Sequence, residues 1–466
     1  MNPQSFLPVP PILLLGLVFF LTGAVISVYG QNVSVWKTGT DKFQITPKAP
    51  LWMAGYAHRD KPAQGKYSEL WVKVLAFEDP EGNRSVLLTS DLLGFPKKMS
   101  ETIRTAILQK YGLSKSQVIL NSSHTHSGPV LAAALFDIYP LNMQQRAQVE
   151  AYSKQLEADI VESVGRALQH MQASRIYSGN GTARFQVNRR NNKESDIHLL
   201  TELKGPIDHS VPVIKVTDLE GRVRAIAFGY ACHPTVLSSY FWSADFPGYA
   251  QEELEKNHPG ALALFFQGAA GDQNPLPRRT LPLAKQYGKE LAAAVERVLE
   301  EEMNALEPTL RHAYQEIDLP LNDPMSRERL EKMVHTETGY MKQWAERMLV
   351  EQDQGIIPPS TYPYPIQIWA LGGQLLFSMG GEATIGYTNR LKARFGVDAF
   401  VLSYSNDVMA YIPTETVLRE GGYEGYSSQM VYGLPNTWKA GLEEQILASF
   451  DRLAQKIDLA ASPNNP

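Results

Sequence analysis

Residues 116–129 read Ser116-Gln117-Val118-Ile119-Leu120-Asn121-Ser122-Ser123-His124-Thr125-His126-Ser127-Gly128-Pro129. The run 116–120 is short, apolar and β-branched, the pattern of a buried strand. On a strand, residues i and i+2 share a face. His124 and His126 are therefore expected to project together from its C-terminal end, where Ser127-Gly128-Pro129 turns the chain away. Neutral imidazole is the commonest protein ligand for zinc, and two converging rings begin a metal site. A pair of hydrogen-bonded loop histidines is the plainer alternative.

Outward from this strand, strand and helix signals alternate. Residues 70–77 and 85–92 predict a hairpin around Asp79-Pro80-Glu81-Gly82-Asn83, and 98–111 an amphipathic helix. The 3.6 period marks a long helix at 146–171. Residues 211–217 and 224–231 predict a second hairpin, and 262–267 a buried strand. Helices are expected at 283–301, 326–352, 384–395 and 437–457. Residues 365–371 and 374–379 flank Gly372-Gly373, a two-residue hairpin signal, and 399–404 is a further strand. Hairpins mixed with crossover helices predict an α/β (α+β) fold, a mixed β-sheet core with flanking helices. No linker interrupts residues 31–460, so a single catalytic domain is expected there.

The chain of 466 residues is 44% hydrophobic and 20% charged, enough for a large core. Its net charge of −5, with Lys and Arg spread along its length, argues against nucleic acid as a partner. Residues 12–30 carry no charge and end in Val28-Tyr29-Gly30 before Gln31, which predicts a secretory signal at 1–30 cleaved after Gly30. No Lys or Arg precedes the run, and its length approaches a membrane span, so an uncleaved anchor is the alternative. Either way the body is expected to be secreted or periplasmic. Cys232 is the only cysteine, so no intrachain disulfide forms. A large exported chain without disulfides suggests a bacterial periplasmic or surface protein.

Three more candidate ligands follow predicted strands: His233 in Ala231-Cys232-His233-Pro234, Glu382 in Gly380-Gly381-Glu382-Ala383, and Tyr411 in Asn406-Asp407-Val408-Met409-Ala410-Tyr411. Sites in α/β sheets gather at the carboxyl ends of strands, so a metal site is expected there. Two His and a carboxylate form a common catalytic zinc set with a position open to water. Singly, a His before Pro is usually structural, and Glu382 could simply cap the next helix. Cys232 would point away from His233 and is expected to be a small buried thiol. The turn Gly268-Ala269-Ala270-Gly271-Asp272-Gln273-Asn274-Pro275 lacks the Lys-Ser/Thr of a P-loop. It can bring backbone and the Asp272, Gln273 and Asn274 side chains to a substrate, or be merely an Asx-capped turn.

Together these motifs resemble the neutral/alkaline ceramidase family of zinc-dependent amidases. The matching pieces are 121–129, 231–235, 268–275, 380–384 and 406–411, with weaker matches at Met53-Ala54-Gly55-Tyr56 and Val187-Asn188-Arg189. The resemblance implies Zn²⁺ held by His124, His233, Glu382 and Tyr411, with His126 on the developing oxyanion. Arg189 is implied for substrate polar contacts, although the family's Asn-Arg-Ser-Pro is here Asn188-Arg189-Arg190-Asn191. Asn274 stands where the family carries its catalytic serine, and the family's C-terminal immunoglobulin-like domain is expected to be absent. A carboxamide cannot form an acyl-enzyme. The expected activity is therefore hydrolysis of an amide, such as an N-acyl lipid, by metal-activated water, with His126 and Asn274 as catalytic groups. The alternatives are a zinc hydrolase of a sugar- or cell-wall-derived amide or ester, and a metal-retaining binding protein without catalysis. The partners implied are a small-molecule or lipid substrate and a membrane surface.

Overall fold

A computed structural model describes residues 34–135 and 137–459, together with Met1, Leu7 and Pro8. The expected signal or anchor lies almost entirely outside the described residues. The chain divides into a short unit, Met1–Ser34, and a large one, Val35–Pro466. No helix among the described residues is long and apolar enough to cross a membrane.

The large unit has four layers: helices, a sheet, a second sheet, helices. The first sheet runs in the order Leu262–Gln267, Val223–Tyr230, Ser210–Thr217, Gln172–Thr182, Trp36–Gln44, Trp71–Glu78, Arg84–Ser90, Val118–Ser122. Its two outermost pairs are parallel and the rest antiparallel, so it is mixed as expected. The second sheet orders Leu310–Pro320, Thr361–Leu371, Gln374–Met379 and Phe400–Leu402, with only its last pair parallel.

Strand alternation explains the layering. Leu75, Leu87, Ile119, Ile214 and Leu264 of the first sheet meet Trp369, Leu371, Leu376, Phe400 and Leu402 of the second in one buried cluster. Their sequence neighbours Val74, Leu88, Val118 and Leu120 face outward against helices Lys97–Tyr111 and Met143–Gln169. Val213 and Phe228 pack likewise on Asp245–Asn257 and Leu281–Glu300. Ile366, Ile368 and Met379 of the second sheet pack on Gly386–Phe395 and Leu442–Lys456.

Several expectations are corrected. The predicted helix 326–352 is two helices, Arg327–Thr336 and Gly339–Asp353, broken where Thr338 is extended and Gly339 takes φ +57°. The long helix starts earlier, at Met143, because Asn142 and Gln145 form a reciprocal capping box. Gln172–Thr182 was not expected as a strand, being polar and containing two glycines, and helix Asp245–Asn257 was hidden by Pro247 and Gly248 in its first turn.

Candidate metal centre

Five strands of the two sheets release their chains toward one cluster, and Asn121 stitches three of them together. Its Oδ1 accepts from the Gln267 amide at 2.8 Å, and its Nδ2 donates to the Ser403 carbonyl at 2.7 Å. Asn406 does the same a step away: its Oδ1 accepts from Leu120 N at 3.0 Å, and its own amide donates to Leu120 O at 2.7 Å. A buried polar group costs free energy unless paired, so these carboxamides fix the strand ends relative to one another.

The strand ends at Ser122, and His124 is not extended but left-handed, at φ +65°. The i/i+2 projection expected of His124 and His126 is therefore not what brings them together. A reversal of backbone does so, leaving their Nε2 atoms 3.2 Å apart. Tyr404 and Asn406 are left-handed as well, at φ +54° and +66°. Such conformations in non-glycine residues cost about 1–3 kcal/mol each and persist where the surroundings impose them.

The geometry at the centre is explicit. His124 Nδ1 lies 2.6 Å from the Leu93 carbonyl, and His233 Nδ1 lies 2.6 Å from the Ala270 carbonyl. A carbonyl only accepts, so Nδ1 carries the proton in both rings and Nε2 presents a lone pair. Both Nε2 atoms face Glu382 Oε2, at 3.2 and 3.0 Å. Tyr411 follows from the register: Glu382 and Tyr411 are opposite residues of a two-residue parallel ladder, and the Tyr411 hydroxyl is 3.5 Å from His233 Nε2. Burial and Arg189 push His233 down to about 4. Despite burial, positive charge at the His124 and His233 positions holds the Glu382 carboxyl well below its usual range. Neutral imidazole lone pairs converging on an ionised carboxylate repel unless a cation lies among them. This nitrogen–oxygen donor set, with both rings oriented by carbonyls behind them, fits a divalent metal such as zinc.

The ring nitrogens of His124, His126 and His233 lie within 4.8 Å of one another, so His126 is the other nitrogen within reach. It is held differently. Its Nδ1 is buried with no partner among the described residues, and its ring takes the edge of Tyr56 at 4.8 Å between centroids. Burial, then His124 and His233, press its pKa well below the ordinary value.

Arg189 crosses the site. It donates to Glu424 at 2.8 Å, to the Tyr411 hydroxyl at 3.0 Å and to Asn274 Oδ1 at 3.4 Å. Thr235 also reaches Asn274 Oδ1, at 3.5 Å. Since Arg only donates, Oδ1 must face it, and the Asn274 amide NH₂ remains as a donor. Strand alternation along Gln273–Pro275 places Gln273 on the opposite side, where its Nε2 reaches the Pro206 carbonyl. Asp272 accepts from the Ile385 amide at 2.8 Å and from Asn188 at 3.0 Å, so both its oxygens are engaged in the frame. Cys232 is buried among Tyr230, Val236 and Leu237, with its thiol pushed up by burial.

Sequence reasoning did not find Tyr432, which donates to Glu382 Oε1 at 2.5 Å, or Tyr404, whose ring lies 4.4 Å from that of His124. Neither carries a motif. Tyr56 had a signal in Met53-Ala54-Gly55-Tyr56: a Cβ at Gly55 would stand 2.5 Å from His126 Cγ, so only glycine admits that ring.

A family model described as neutral/alkaline non-lysosomal ceramidase, N-terminal, matches residues 36–278, which include His124, His126, Arg189, His233 and Asn274. Glu382 and Tyr411 lie beyond that stretch. Neutral ceramidase A of Dictyostelium discoideum is 26% identical over 271 residues, covering 53% of this chain. Neutral ceramidase B of the same organism is 25% identical over 289 residues, covering 56%. The matched part spans only 36% and 39% of those two proteins. In fold, the chain is similar to the crystal structure of neutral ceramidase from Pseudomonas aeruginosa, with a TM-score of 0.69 at 20% identity over 93% of this chain and 76% of that one. With the family model matching more than half of its length, the chain belongs to the neutral/alkaline non-lysosomal ceramidase family.

Proposed function

We propose that the chain is a zinc-dependent amidohydrolase that cleaves an N-acyl amide of the ceramide type by attack of water, within one catalytic domain spanning residues 31–460. The observation that carries this reading is the pair of imidazoles whose Nδ1 protons are committed to carbonyls and whose Nε2 atoms meet one carboxylate oxygen. His124, His233, Glu382 and Tyr411 would hold the ion. Zinc, when bound, supplies a Lewis acid that activates water and polarises a carbonyl.

The chain's own residues do the rest. His126, neutral and beside the cluster, accepts a proton from the attacking water and returns it to the departing amine. Asn274, its carbonyl oxygen pinned by Arg189 and Thr235, directs its NH₂ as a donor to the amide carbonyl oxygen as charge develops. Tyr432 donates to Glu382 Oε1 and Tyr404 to Oε2, so the two hydroxyls orient the carboxylate. No nucleophilic side chain occupies position 274, so water attacks directly and no acyl-enzyme forms.

The test is elemental analysis of the purified chain followed by turnover of an amide and ester panel with and without chelator. One zinc per chain and chelator-sensitive amide cleavage are expected. Stoichiometric zinc without turnover of any amide would favour a binding protein that retains the metal.

A further inference from the structure

The two walls beside the cluster differ in charge. On one, every guanidinium has its carboxylate: Arg189 and Arg190 each reach Glu424 at 2.8 Å, and Arg190 reaches Glu420 at 3.0 Å. The other wall is built around Tyr56, whose ring edges His126. Arg59 lies 4.9 Å from the centre of that ring and Arg279 lies 5.7 Å from it.

Arg59 is buried at 2% exposure, yet its guanidinium donates to backbone carbonyls, to Ala54 and at 3.1 Å to Ser239. Its Nε has no partner among the described residues, its ionisable neighbours are Tyr139, Tyr56 and Tyr240, and the carboxylate of the adjacent Asp60 is taken by the Tyr240 hydroxyl at 2.8 Å. Arg279 donates to the Tyr56 hydroxyl at 3.2 Å, and its closest acid is Glu194 at 3.9 Å. Glu194 is already engaged by Arg278, at 2.6 to 2.9 Å. A further acid near Tyr56, Asp245, is buried and accepts from the backbone amides of Leu237 and Phe246. Arg279 also holds a left-handed backbone at φ +93°, which a non-glycine residue adopts only under constraint.

An exposed arginine alone would mean little, because water screens it. A buried guanidinium without a counter-charge is different, since its field reaches a nearby ligand through low dielectric. We propose that the substrate carries a carboxylate beside the scissile amide, received by Arg279 over Tyr56 and drawn there by the uncompensated charge of Arg59. The substrate class is then an N-acyl amino acid rather than a neutral N-acyl amino alcohol. This rests on the amidohydrolase reading.

The test compares N-dodecanoylserine with N-dodecanoylserinol, which differ only by a carboxylate for a hydroxymethyl. In the zinc-loaded wild type, kcat/KM should favour the serine amide by about 10- to 100-fold, the worth of one hydrogen bond to a charged group. Arg279→Gln should bring that ratio close to one, and Arg279→Lys should restore part of it. Equal or better turnover of the serinol amide by the wild type, or a preference that survives Arg279→Gln, would overturn the proposal. If zinc is present and neither amide is cleaved, the hydrolase reading fails, and calorimetric binding of the two amides decides this one. Binding of the serine amide alone, lost in Arg279→Gln, supports the anion site, and equal binding of both overturns it.

Discussion

Each ring of the cluster is held in its own way, and substitution should separate their roles. His124→Ala and His233→Ala each remove a donor whose tautomer a carbonyl has fixed, and each should abolish stoichiometric zinc. His126→Ala should keep the metal and lose about 10² to 10³ in turnover, the worth of one proton carrier or oxyanion donor. Zinc retained by the first two, or lost by the third, would contradict these roles, with elemental analysis as the readout. Asp407 offers a test in stability. Burial pushes its carboxyl from 3.8 up to about 7, with Tyr362, Lys97, Glu101 and Glu316 facing it. The folded state therefore binds this proton more tightly than the unfolded state, and stability falls as pH rises from about 4 to about 7. Asp407→Asn mimics the protonated group and keeps an acceptor for the Tyr362 hydroxyl. Its unfolding midpoint relative to the wild type should rise between about pH 4 and about pH 7, and a constant difference would contradict this. At this scale the meeting of His124, His233, Glu382 and Tyr411 was legible because each follows a strand. Tyr432 was not, because a buried hydroxyl aimed at a carboxylate leaves no pattern in the residues around it.

At the scale of elements, close approach of loops does what the strands alone cannot. A Cβ on Gly271 would stand 2.6 Å from the Glu382 carbonyl oxygen and 2.9 Å from that of Ala383, so the glycine-rich turn lies directly on the backbone that carries a candidate ligand. Gly271→Ala should destabilise by about 1–3 kcal/mol through overpacking, and should weaken zinc binding by displacing Glu382. Unchanged zinc affinity in calorimetric titration would show that the turn does not position the carboxylate. The hairpins at Asp79–Asn83 and Gly372-Gly373 could be read in advance because their turn residues state the geometry, as the pairing of Leu371 with Gln374 bears out. Gln172–Thr182 and Leu310–Pro320 could not. Each buries only a minority of its residues, and their polar faces read as loop until partners are known. The mixed sheet was legible, and its division into two stacked sheets was not, since that depends on which faces meet.

Across the whole molecule, the candidate ligands come from both sheets: His124 and His233 follow strands of the first, and Glu382 and Tyr411 follow strands of the second. An ion held by all four ties the two sheets and cannot bind the unfolded chain as a preformed site. At a zinc concentration about a thousandfold over Kd it should add about 4 kcal/mol to the stability, seen as a higher unfolding midpoint with zinc than after chelation. Coincident midpoints would mean that the cluster holds no structural charge. The central claim is the composition of the ligand shell. X-ray absorption at the zinc edge of the loaded protein measures it directly, because imidazole rings scatter differently from single oxygen donors. Two imidazoles completed by oxygen ligands at about 2.0–2.2 Å are expected for His124, His233, Glu382 and Tyr411. Three imidazoles would place His126 on the metal and contradict the division of labour argued here.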